Sequence, residues 1–277
     1  MKKTHTISIL IFLVLSLCIQ MLLYFSGNLR TFIGLGNSTD LKTYNLLENS
    51  LDNASKNIVQ KNTAVLGSLV KTAAENKAAA AAYTYCNQVN GFSNGLIDRL
   101  NAIKYELLLR SGDQKDPKMG LKHEPEAMLV KGGVPELAQG DNMEVHGNYF
   151  MVENEGKNGT DLQNAVNNTR INMLAVLKRA SFDAILVNSP ETKKMLLDRM
   201  KAIEAKTSLY ANNTDESWAS TYLEGSQLAC VFAFLSKIEV DSRSMEAEVM
   251  QVLAESVNTA DYKFQKCQKA CCIEINP

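Results

Sequence analysis

No feature of this chain constrains its fold more than a run of nineteen residues, Ile7 to Phe25, that carries no charge. As a helix rising ~1.5 Å per residue, the run spans roughly 28 Å, close to the hydrocarbon thickness of a bilayer. Ile7, Leu10, Leu13, Leu17, Met21 and Phe25 spread around that helix, so it lacks the polar face of a helix buried in a soluble core. Its end, Leu22-Leu23-Tyr24-Phe25-Ser26-Gly27, offers no small-x-small pair for signal cleavage. Leu17 is too bulky before Cys18 for a lipoprotein box. Residues 1–35 are therefore expected to form a cytoplasmic N-terminus and an uncleaved, single-pass anchor. Lys2 and Lys3 place the N-terminus in the cytoplasm and the bulk of the chain outside the inner membrane. Lys3, His5, Ser16 and Gln20 are the polar groups available to a partner at or inside the membrane.

Beyond the anchor the sequence is helical in character. With 45% hydrophobic and 21% charged residues, it has the composition of a folded domain rather than a disordered one. Of its 5 prolines and 15 glycines, 11 fall within residues 112–159, which leaves long stretches elsewhere nearly free of helix breakers. One helical pattern runs from about Asp40 to Glu75 and a second from about Asn76 to Arg110. In the second, Leu96, Leu100, Ile103 and Leu107 share a face. Residues 112–159 are expected to be mainly a long loop, with Val145 to Val152 as a candidate short strand. Helical order resumes with Thr160 as N-cap and again at Ser189-Pro190, where Ser caps and Pro takes the first helical position.

The last helix has the clearest pattern. Leu228, Val231, Leu235, Ile238, Ser242, Met245, Val249, Val252 and Ser256 alternate by 3 and 4, with Lys237, Glu239, Asp241, Arg243 and Glu248 off the seam. This packing edge fits either a neighbouring helix of the same bundle or a second subunit. Trp218, the only tryptophan, precedes it as a candidate core anchor. The fold expected is all-α: an N-terminal transmembrane helix, a periplasmic bundle of long antiparallel helices over 40–258, and a stub of β-strand in a 259–277 tail.

No catalytic constellation stands out, and the chain is expected not to be an enzyme. His5, His123 and His146 form no i, i+4 pair, and Cys267, Cys271 and Cys272 lack C-x-x-C spacing with a second cluster, so neither metal nor cofactor is expected. Beyond the anchor lie Cys86, Cys230, Cys267, Cys271 and Cys272, whose connectivity spacing does not reveal. Phosphate-binding and nucleophile-elbow motifs do not occur. A formal net charge of -1 supplies no drive toward nucleic acid.

The run Trp218-Ala219-Ser220-Thr221-Tyr222-Leu223-Glu224-Gly225, followed by Leu235-Ser236-Lys237, Asp241, Met245-Glu246-Ala247-Glu248-Val249 and Leu253, resembles the GldM/PorM family. These are the gliding-motility and type IX secretion motor proteins of Bacteroidota. Ala260-Asp261-Tyr262-Lys263-Phe264 looks like that family's exit into a first β domain, here cut short at Pro277. The resemblance implies a homodimer whose anchors meet a multi-spanning, proton-driven inner-membrane partner (GldL/PorL-like). It also implies a periplasmic part that carries motion toward, or scaffolds, periplasmic ring components. Two positions depart from the family pattern: Lys3-Thr4-His5-Thr6 stands where members carry an arginine, and Gln227 where they tend to carry proline. From the residues alone, the alternative is a membrane-anchored periplasmic helical sensor that binds a small ligand.

Overall fold

A computed structural model describes residues 41–111, 142–187, 189–207 and 218–257. The anchor (with Lys3, His5, Ser16 and Gln20), His123 and the 259–277 tail lie outside the described residues. Among the described residues no helix is long and apolar enough to cross a membrane. Those residues are overwhelmingly helical, and none of them forms a strand.

Among the described residues six helices carry the structure: α1 (Leu41–Ala73), α2 (Lys77–Ser111), α3 (Lys157–Ala180), α4 (Pro190–Lys206), α5 (Trp218–Leu223) and α6 (Leu228–Ser256). Their boundaries follow from local chemistry. Asn76 breaks α1 from α2 because its side-chain oxygen accepts hydrogen bonds from the Ala78 and Ala79 amides, 2.8 and 3.2 Å away, and so caps α2. Ser189 caps α4 by accepting from the Thr192 amide, with Pro190 supplying a first position that needs no amide hydrogen.

The segment before α3 departs from expectation. Val145 to Val152 is not a strand: Val145–Gly147 is one turn of α-helix and Asn148–Val152 a turn of π-helix. Asn142 starts it by accepting from the Glu144 and Val145 amides. The chain then turns through three left-handed residues, Asn154 (φ 49°), Glu155 (φ 59°) and Gly156 (φ 74°). For the two residues with a Cβ that conformation costs about 1–2 kcal/mol each. Helix α3 begins at Lys157, three residues before the expected cap, so Thr160 lies in its first turn. Gly159 is likewise helical, not a loop glycine: a Cβ there would sit 2.7 Å from the Ala219 Cβ and 3.0 Å from the Phe150 carbonyl oxygen. Phe150 is fully buried, so this part of the expected loop belongs to the core.

The described helices group into two compact units, each drawn from separated stretches of chain. The first contains 104–111, 142–162 and 218–234, together with the first turns of α1. Trp218, Tyr222 and Phe234 cluster in it, with ring centroids 5.3–5.7 Å apart and Tyr222 stacked on Phe234. Arg110 pairs with Glu153 and Glu106 and lies over the Tyr149 ring. The second unit contains 49–103, 163–207 and 235–257. There the pairs Cys86–Met250, Asn90–Glu246 and Ser93–Ser242 run α2 antiparallel to α6. Arg199–Glu255 and Lys206–Glu248 do the same for α4 and α6.

Candidate functional site

All nine seam positions of α6, from Leu228 to Ser256, are buried within this single chain. Between Leu228 and Met250 no residue of α6 is exposed, so this helix is clothed on every side rather than along one edge. Lys237, Glu239, Asp241 and Arg243, off the seam as expected, are half-buried and paired with neighbours. The α2 face extends further than the four leucine and isoleucine positions of the sequence reading. Ala79, Ala82, Cys86, Val89, Ser93, Leu96, Leu100, Ile103 and Leu107 are all buried and alternate strictly by 3 and 4. Its first half escapes a search for large apolar residues because alanine, cysteine and serine occupy it.

At the fifth of nine positions each seam has a serine, and the Ser93 and Ser242 hydroxyls meet at 3.3 Å. Around them runs a polar layer. Glu246, 0% exposed, accepts from Arg243 at 2.9 Å and from the Asn90 amide at 2.7 Å. Glu239 accepts from Ser55 of α1 at 2.7 Å. The Asn62 amide nitrogen and Arg243 Nε are buried without a hydrogen-bond partner. Such a layer adds little net stability but penalises every misaligned pairing, because a slipped register strands a buried charge.

The layer also explains an inversion on α1. Ser55 and Asn62 are buried one heptad apart, with Leu69 completing the column. The apolar residues beside that column are only half-covered: Leu51, Ile58, Val65 and Leu66 are intermediate, while Val59 and Val70 are 37% and 47% exposed. The helix therefore turns its polar column inward and leaves apolar flanks reaching outward. This face was not legible in advance, because polar residues fill most positions of α1 and a buried polar column does not stand out among them.

Cys86 lies in the same layer, its thiol 3.9 Å from the Met250 carbonyl. Burial, and secondarily the Glu246 carboxylate, push the thiol up to about 12. At pH 8 it is fully protonated and unreactive. Iodoacetamide is therefore expected to spare Cys86 in the native protein and label it fully in denaturant, as peptide mass spectrometry would report. Native labelling of Cys86 at the rate of a free thiol would contradict the packing described.

An open groove of about 480 Å³ is lined by Tyr85, Lys178, Arg179, Phe182 and Asp183. The Tyr85 hydroxyl is engaged with Asp183 at 3.0 Å and Arg179 with Gln88 at 2.8 Å. Its polar groups thus face protein partners rather than converge on a ligand. Among the described residues no three His, Cys, Asp or Glu side chains gather to hold a metal ion.

A family model described as the GldM N-terminal domain matches residues 41–256. No curated protein matches the sequence.

Proposed function

We propose, from the premise that this chain belongs to the GldM family, that it is a non-enzymatic structural component of a gliding or type IX secretion machine. In this proposal residues 7–25 anchor the chain in the inner membrane and the helical part works in the periplasm, carrying or bearing force. The observation that supports it best is the pair of nine-residue seams on α2 and α6. A 29-residue helix such as α6 is roughly 43 Å long at ~1.5 Å per residue. Covered on all sides, it makes a stiff strut, and a seam locked by buried charge resists slipping under load.

Dimerisation belongs to the same proposal, with α1 as its contact. The α6 seam is already satisfied within one chain, whereas the apolar flanks of α1 are half-open. Val59→Glu combined with Val70→Glu is expected to shift the full-length protein in mild detergent from dimer to monomer by sedimentation, with melting temperature changed by less than about 2 °C. A wild-type monomer, or a dimer indifferent to both changes, would remove α1 from the proposal. The machine assignment is tested by purification from native membranes in mild detergent. Co-purification of a multi-spanning inner-membrane protein with an intramembrane acidic residue is the expected result, and reproducible recovery of the chain without one would count against it.

A further inference from the structure

His146 is fully buried in the unit that holds the aromatic cluster, and neither ring nitrogen has a hydrogen-bond partner of good geometry. A buried histidine normally donates one nitrogen and accepts at the other. The polar group that acts on the ring is the Leu223 carbonyl at the end of α5, which opposes the effect of burial without cancelling it. That carbonyl already accepts from the Ser226 amide at 3.3 Å. The Ser226 hydroxyl is a second buried group without a partner. His146 and Ser226, each with an unsatisfied buried polar side chain, thus lie at the end of α5 beside a glycine, Gly225, held at φ 68°.

The segment that carries His146 is irregular. It consists of single turns of α-, π- and 3₁₀-helix, and it ends in the left-handed residues Asn154 and Glu155. Local opening draws on elements of this kind, whose backbone strain is relieved when they release.

We propose that His146 is a built-in pH trigger: protonation of its buried ring releases the 145–156 segment from α5 and loosens this unit. The charged groups nearby provide no counter-ion. Glu144 and Glu153 belong to its own segment, and Glu153 is taken by Arg110 of α2. Tyr222 and Glu224 come from α5 and the turn after it, and Glu48 and Lys104 are the buried charges elsewhere in the unit. None of these shifts the ring; burial alone lowers its proton affinity below the ordinary histidine value, and the Leu223 carbonyl raises it in part. The closed segment therefore binds neutral imidazole, and the open one binds either form. Opening becomes easier as pH falls below about 6.5, by at most tenfold per pH unit for one proton, and levels off below the closed-state pKa.

The test is hydrogen exchange on the full-length protein in nanodiscs from pH 8 to 5, corrected for intrinsic rates, with Trp218 emission as a second reporter. Peptides covering 142–156 and 218–228 are expected to open with a slope approaching tenfold per unit below pH 6.5, while α2 and α6 peptides in the other unit stay flat. His146→Gln and His146→Phe are expected to abolish the slope. A pH-independent wild type, or variants with an unchanged slope, would overturn the proposal. Should either variant fail to fold, ring-carbon NMR of the wild type decides. A His146 resonance that titrates below the ordinary histidine value, in step with exchange, supports the trigger; one that titrates at that value refutes it.

Discussion

Glu246→Leu is expected to destabilise the helical domain by about 3–5 kcal/mol, although it replaces a buried charge with an apolar side chain. The reason lies in what remains. Arg243, with its side chain only 11% exposed, keeps a charge that has lost its carboxylate, and the Asn90 amide loses its acceptor. The Arg243 Nε is already without a partner. The double variant Glu246→Leu, Arg243→Met is expected to recover most of that loss, since removing both charges removes the desolvation cost along with the attraction. Chemical denaturation followed by circular dichroism measures both, and the double-mutant cycle gives the coupling. A loss below about 1 kcal/mol for the single variant would mean that the layer is wetter and looser than its burial implies. Should the double variant prove stable yet non-functional, the polar layer would be shown to serve register rather than stability.

Phe150→Ala should cost about 3–5 kcal/mol, the range for a phenylalanine removed from a packed core. Phe150 is fully buried, and its backbone carbonyl lies against Gly159 in the first turn of α3. A cavity there has little means of collapsing, because α3 already approaches as closely as a glycine permits. Phe150→Leu, which keeps much of the volume, is expected to lose less than half as much. Thermal or denaturant unfolding monitored through Trp218 reads out the unit directly, since the only tryptophan lies in it. If the segment were merely a tolerated insertion, Phe150→Ala would change stability by no more than about 0.5 kcal/mol.

Both positions show where the sequence was readable and where it was not. The α6 seam, the lower half of the α2 face, the Asn76 break and the Ser189-Pro190 start were legible because each depends on neighbours within one or two turns. The upper half of α2 was not, since small and polar residues give a weak periodic signal even when every one of them is buried. Phe150 was hidden in a segment dense in glycine and polar residues, whose composition matches a loop. That segment is short, bent and strained, and packing rather than intrinsic propensity holds it helical.

What the sequence determined by itself was therefore the long helices, the Ser189-Pro190 start and the apolar spacing of α6, together with the family from the residues around Trp218 and Met245. Helical periodicity is a property of one stretch of chain, and a 3–4 alternation has the same meaning whatever lies opposite. Only the tertiary structure decided which polar residues enter the core. Glu246 is buried where Asn90 of α2 and Arg243 meet it, and Ser55 of α1 is buried where it donates to Glu239, 184 positions along the chain. Burying a polar group costs least where a partner meets it, and a partnership across helices has no signature in either helix alone.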